Sequence, residues 1–233
     1  MTHPLDNPLW AALSGPQAHL AVRLGRAARF PPDISPFAAV ADDGAWADLA
    51  ALVGEGGTAV VPGAPEVPPP GWELVGVIPG VQMDGTRLDV AADPEAVALG
   101  PADVPEMLDL VERTQPGPFL PRTITLGTYL GIRRGGALVA MAGERMRPPG
   151  WTEISAVCTD PAHRGRGLAA RLVRAVGAVI RERGDVPFLH TTADNAGAIR
   201  LYDALGFRLR REILFGAVRA TSPAPASAVA SAR

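Results

Sequence analysis

The chain predicts an α/β (α+β) protein in which a mixed central sheet carries helices on its faces. Three observations lead there. Residues 151–183 read as a strand, a tight glycine-rich turn and an amphipathic helix. Val186–Thr192 reads as a further strand, and Asp194-Asn195 can cap a helix over 196–205. Short strand and helix patterns also alternate through residues 1–92, as in a smaller α/β unit.

Each element has its own grounds. Residues 9–29 carry a helical pattern (Trp10, Leu13, Leu20, Val22, Leu24), interrupted at Gly15-Pro16 and ended by Pro31-Pro32. Strands are expected at 37–40 and 58–61 with a short helix at 45–52, then at 72–77 and 81–84 after a proline-rich loop. Residues 85–93 look like a crossing between halves. A strand at 96–99 precedes a helix opened by Pro101 and Asp103, whose apolar face is Val104, Met107, Leu108 and Val111. Strands at 126–132 and 137–145 meet around Arg133-Arg134-Gly135-Gly136 as a hairpin. In Trp151–Thr159, simple alternation puts Ile154, Ala156 and Cys158 on one face and Glu153, Ser155 and Val157 on the other. The following helix has Leu168, Leu172, Val173, Val176 and Ile180 on its apolar stripe, and Arg171, Arg174 and Arg181 opposite. Gly206 sits where a left-handed helix end belongs, and strands close the pattern at 207–210 and 212–218. The expected division is an α/β domain over 1–92, a second domain over 93–219, and a disordered Ala/Ser/Pro tail over 220–233.

Composition narrows the function. A hydrophobic content of 47% with 20% charge suits a globular protein. No apolar run approaches the ~18 residues of a membrane span, and no secretory leader pattern opens the chain. A cytoplasmic location without membrane association is expected. Cys158 is the single cysteine, so neither a disulfide framework nor a cysteine-rich metal site is expected. All 22 basic residues are Arg. They are unevenly spread: residues 1–92 hold 4 Arg against 10 acids, and residues 160–219 hold 11 Arg against 6. A positive C-terminal region suits an anionic ligand, while the lack of basic runs interleaved with aromatics argues against nucleic acid. The Arg164–Ala169 turn at a helix start is an anion-binding device, because free N–H groups and the positive helix end point the same way. It lacks the Gly-Lys-Ser/Thr ending of a triphosphate loop.

Two blocks carry a family resemblance. Arg164-Gly165-Arg166-Gly167-Leu168-Ala169 resembles the acetyl-CoA motif Arg/Gln-x-x-Gly-x-Gly/Ala of the GCN5-related N-acetyltransferases (GNAT). TADNAGAIRLYDALGF, from Thr192 to Phe207, resembles that family's Asn-x-x-Ala-x-x-Leu-Tyr-x-x-Leu-Gly-Phe block. The resemblance covers roughly residues 94–219 and is nearest to the FR47-like branch. It implies the GNAT fold, and makes residues 1–92 a candidate degenerate GNAT-like domain. It also implies acetyl transfer from coenzyme A to a primary amine, on a small molecule or a peptide. Arg164, Gly165, Arg166, Gly167, Leu168 and Ala169 would hold the pyrophosphate, while Val157, Cys158 and Thr159 would pair with the pantetheine arm. The amide of Val157 would stabilise the oxyanion, Asn195 would contact the cofactor, and Tyr202 would protonate the departing thiolate. Glu153 is the candidate base, although it stands four residues before Val157, roughly 13 Å along an extended strand. A non-catalytic acyl-CoA sensor or scaffold is the alternative. The resemblance implies no metal and leaves a homodimer open. His190 reads as a satisfied strand histidine.

Overall fold

The computed structural model describes residues 3–221. Most of the expected tail, 222–233, lies outside the described residues. In chain order the elements are α1 (Pro8–Leu13), β1 (Val22–Leu24), β2 (Ala27–Arg29), β3 (Ala38–Val40), α2 (Trp46–Val53), β4 (Thr58–Pro62) and β5 (Trp72–Asp84), followed by β6 (Val97–Ala98), α3 (Val104–Thr114), β7 (Tyr129–Arg134), β8 (Ala137–Glu144), β9 (Trp151–Thr159), α4 (Leu168–Glu182), β10 (Val186–Thr192), α5 (Ala196–Ala204) and β11 (Arg208–Ala220).

Among the described residues the strands form two sheets. A small one has the order β1-β2-β3, and a large mixed one has the order β4-β11-β5-β10-β9-β8-β7-β6. The parallel neighbours β9 and β10 form the seam, paired from Val186↔Trp151 to Leu189↔Ile154. On one face α4 and α5 bury Leu172, Val173, Val176 and Tyr202 against Ile132, Ile154 and Leu189. On the other face α3 packs Met107 and Leu110 against Tyr129, Met141 and Cys158. Beside it, α1 and the segment before it pack against Leu126, Met146 and Phe188.

The N-terminal region departs from expectation in three ways. The helix expected over 9–29 ends at Leu13, and residues 22–29 form a hairpin around Gly25, whose φ of +52° suits a tight turn. The strands expected at 72–77 and 81–84 are one strand through Pro79. Proline is tolerated there because β10 pairing stops at Gly80, so the missing N–H faces a ladder that has ended. Most consequentially, the boundary expected at residue 92 is not a break in the sheet. β5 lies between β10 and β11, and β4 pairs with β11. β4 and β5, which precede residue 92, thus complete the sheet of residues after 92, while β1–β3 form the small sheet by themselves. β11 also runs through Ala220, one residue into the expected tail.

The arginines of α4 are not a solvated face. Arg171 grips Asp93 with two hydrogen bonds of 2.6 and 2.7 Å and Glu95 at 2.5 Å, and Arg174 pairs with Asp89. The Arg171 guanidinium holds the Asp93 carboxyl below the usual range. These pairs fasten the 85–96 crossing along the helix.

One glycine is a packing requirement. The ring of fully buried Tyr129 lies where a Cβ on Gly143 would stand, and the Tyr129 hydroxyl donates to the Glu144 carbonyl at 2.9 Å. Gly143→Ala is therefore expected to cost about 1–3 kcal/mol by overpacking. Urea unfolding measures this, and an unshifted midpoint would show that the β7–β8 packing is looser than described.

Candidate active site

β9 changes its face pattern at the point where chemistry is expected. Ser155 pairs with Gly143 and Cys158 with Met141, so two β9 residues, Ala156 and Val157, oppose the single Ala142 of β8. Ala156 has φ +52°, the left-handed region. This bulge corrects the simple alternation. Ile154 and Val157 share the α4 face, whereas Ala156 and Cys158 join Met107 and Leu110 of α3. The bulge begins two residues after the last β9–β10 pair, where the two strands part.

The parted strands open into a cleft of about 670 Å³. Val157, Cys158 and Thr159 line one wall. Arg164, Gly165, Gly167, Leu168 and Ala169 line the end at the start of α4, and Asn195 and Tyr202 of the α5 region line the opposite wall. The structure thus gathers all the expected cofactor-binding residues except Arg166, which is exposed and does not line the cleft.

The α4 end is built to take an anion. Gly165 and Gly167 adopt φ +73° and +71°, conformations that disfavour a side chain, and the space beside each is open. Gly167 caps α4 without a side-chain hydrogen bond, so the first-turn N–H groups face outward. Asp160 shapes the turn by accepting from the Ala162 amide at 3.0 Å and from Arg113 at 3.1 Å. Arg164 donates to the Thr159 carbonyl at 3.3 Å, which draws its stem across the cleft mouth. Two buried polar atoms along the cleft, Thr159 Oγ1 and His163 Nδ1, have no hydrogen-bond partner among the described residues; His163 Nδ1 stands 3.8 Å from Asp160. Unpaired polar atoms beside a glycine cradle and a helix start fit a long, phosphorylated, hydrogen-bonding ligand such as coenzyme A.

At the other end of the cleft, Tyr202 is 7% exposed and stacks edge-on with Phe207 at 5.8 Å. Its hydroxyl makes no hydrogen bond within the described residues. Burial, with a smaller contribution from Cys158, pushes it up to about 12, so it is protonated at neutral pH. The Cys158 thiol is likewise pushed up to about 11 by burial. Asn195 uses its side-chain oxygen to cap α5, accepting from the Ala198 amide at 3.1 Å.

Glu153 is not in the cleft. It has no solvent exposure and accepts from Arg145 Nη2 at 2.6 Å and Nε at 2.7 Å, with His190 Nδ1 at 2.7 Å. Burial alone would raise its carboxyl, but the Arg145 guanidinium and the His190 ring outweigh that and lower it to about 2. A sealed, doubly paired carboxylate cannot exchange protons with an amine in the cleft, so the expectation of a base at Glu153 is corrected. The cause is tertiary: Leu5, Phe37 and Met146 cover that face, and Arg145 also lies over the Phe37 ring at 4.8 Å. Conversely, Thr114, Gln115 and Pro116 line the cleft from the end of α3. Gln115 adopts φ +50° as the left-handed end of that helix. The Thr-Gln-Pro-Gly run signalled a helix end, but nothing local placed it beside β9. Among the described residues no group of His, Cys, Asp and Glu is arranged to hold a metal, and no helix is long and apolar enough to cross a membrane.

Known proteins agree with this geometry. The model of the FR47-like protein family matches residues 129–215. A GNAT-family protein from Novosphingobium aromaticivorans DSM 12444, seen in a crystal structure, is 47% identical with a TM-score of 0.88, over 95% of this chain and 100% of that one. N-alpha-acetyltransferase RimI of Mycobacterium tuberculosis (strain ATCC 25618 / H37Rv) is 40% identical over 83 residues, covering 34% of this chain and 51% of the relative. An uncharacterised protein of Mycobacterium leprae (strain TN) is 32% identical over 156 residues, covering 59% of this chain and 42% of the relative. The chain spans about half the length of these curated relatives or less. With a likeness at 47% identity over nearly the whole of both chains, the chain belongs to the GCN5-related N-acetyltransferase superfamily.

Proposed function

We propose that the chain transfers an acetyl group from acetyl-CoA to a primary amine, by direct attack with both substrates bound. The observation that carries this is the direction of the cleft, from a glycine-cradled helix start at Arg164–Ala169 to a protonated, otherwise unbonded phenol at Tyr202.

The residues divide the work. N–H groups from Gly165 to Ala169 receive the pyrophosphate at the α4 start, with Arg164 adding charge. Val157, Cys158 and Thr159 offer strand backbone to the pantetheine arm, and Thr159 Oγ1 is free to bond it. The amide of Val157, the second residue of the bulge, donates to the carbonyl oxygen as negative charge develops there. As the N–C bond forms and the C–S bond breaks, Tyr202 gives its proton to the departing sulfur. The amine's proton leaves to solvent, since Glu153 is sealed away. Asn195, by capping α5, holds the helix that carries Tyr202.

The alternative, an acyl-CoA sensor without turnover, would share the phosphate end; the phenol lining the far end of the cleft favours turnover. Thermal unfolding with and without acetyl-CoA tests both readings. At a ligand concentration 100-fold above Kd, binding adds about 2.7 kcal/mol, and the melting temperature should rise accordingly. No rise at saturation would remove both. A panel of primary amines, with free thiol as the readout, then separates them: binding without thiol release for any amine in the panel would favour the sensor.

A further inference from the structure

The sealed Glu153 belongs to a longer arrangement. Arg145, the first residue beyond β8, grips Glu153 of β9, and Glu153 accepts from His190 Nδ1 of β10 at 2.7 Å. His190 Nε2 stands 3.1 Å from Gln82 Nε2 of β5, and Gln82 Oε1 accepts from Arg210 Nη1 of β11 at 2.8 Å. Arg210 in turn holds Asp6 at 2.5 Å. Sheet order is β11-β5-β10-β9-β8. The side chains therefore form one unbroken ladder across five adjacent strands, on the face away from α4.

The protonation pattern follows from the partners. Arg210 can only donate, so the Gln82 oxygen faces it and the Gln82 amide nitrogen faces His190. That nitrogen also donates to the Leu5 carbonyl at 3.1 Å, which agrees with this orientation. His190 Nε2 must then accept, and Nδ1–H must donate to Glu153. The ring is 1% exposed and held edge-on between Phe188 and Phe215 at 5.6 and 5.5 Å.

The position of the ladder in the seam is what gives it meaning. Main-chain pairing of β9 with β10 ends at Ile154↔Leu189. Glu153 is the β9 residue one before the last pair, and His190 is the β10 residue one after it. The Glu153–His190 bond thus crosses the seam beside its last main-chain pair, with Glu153 three residues before the bulge at Ala156–Val157.

We propose that Arg145, Glu153, His190 and Gln82 are positioning residues that set how far β9 and β10 part, and thereby aim the Val157 amide at the thioester carbonyl. This rests on the coenzyme A reading of the cleft. None of these side chains touches the ligand, and the α4 phosphate end lies at the far end of the cleft, so the ladder acts on the acyl group and not on coenzyme A as a whole.

The test uses the purified chain with acetyl-CoA carrying ¹³C at the thioester carbonyl, and with coenzyme A itself. His190→Ala leaves Glu153 paired with Arg145, and His190→Asn restores a donor near the Nδ1 position. In the wild type, binding should move the carbonyl resonance through the Val157 hydrogen bond. His190→Ala should lose most of that movement and weaken acetyl-CoA by about 3- to 10-fold relative to coenzyme A, the worth of one hydrogen bond. Coenzyme A affinity should stay unchanged, and His190→Asn should recover part of both effects. Glu153→Gln, which keeps the shape of the side chain, gives the same readout should His190→Ala unfold. Folded variants with the wild-type resonance and the wild-type affinity ratio would overturn the positioning role while leaving coenzyme A binding intact. A wild type that binds neither ligand would overturn the coenzyme A reading, and the ladder's role with it.

Discussion

Glu153→Ala is expected to lower stability by about 3–5 kcal/mol, because it strips the partner from a buried guanidinium. Arg145 lies over the Phe37 ring and finds in Glu153 its one carboxylate partner among the described residues. His190 loses its acceptor in the same step. Glu153→Gln keeps the volume and one acceptor oxygen and should cost less. The same carboxylate gives the wild type a pH signature. Its value falls from 4.5 to about 2 on folding. A group whose folded value lies below its unfolded one stabilises fully above the unfolded value and loses that contribution as pH falls through the folded one. The wild type should therefore shed this stability between pH 4.5 and about 2, and its advantage over Glu153→Gln should shrink across that window. Urea midpoints at neutral and acid pH measure both effects. A Glu153→Ala protein as stable as the wild type would mean that Arg145 reaches water.

Tyr202→Phe should lower kcat by about 100-fold, within the range for loss of a general acid, with coenzyme A affinity unchanged. The hydroxyl has no protein partner to orphan, and the ring packing on Phe207 is kept, so stability should hold. Thiol-release kinetics with an amine found by the panel supply the number. The sharper reading comes from the leaving group: a better-leaving thiol should recover part of the loss, since it needs less protonation. An unchanged kcat, with the variant folded, would take Tyr202 out of the reaction and leave departure of the sulfur to water.

These two residues mark the limits of what could be read from the chain. Tyr202 and the Arg164–Ala169 turn were legible because their signals are local. A glycine turn at a helix start must present N–H groups outward whatever surrounds it, and a tyrosine two turns after a cap stays on the same helix face as that cap. Glu153 was not legible. A carboxylate on a strand is equally consistent with a base, a solvated charge or a buried pair. What decides is the covering of that face by residues more than a hundred positions earlier in the chain. Val157 was misassigned for a different reason. Alternation fails at a bulge, and the left-handed Ala156 has no glycine or asparagine to announce it. The end of α3 was recognised as a helix end, but its contact with the cleft depends on packing across the sheet.

The division of the chain follows the same line. By itself the sequence determined the α/β class, most of the elements in residues 96–218, the glycine turn at the start of α4 and the family, because these rest on periodicity, caps and short motifs within a few turns of chain. Only the tertiary structure decided that residues before 92 complete the central sheet. It also decided that Glu153 is part of a ladder and that the cleft opens beyond the last β9–β10 pair. Strand order, burial and side-chain partnership across strands are long-range properties: each depends on which distant segment arrives alongside, and β5 entering between β10 and β11 is what supplies Gln82 and Arg210 to the seam.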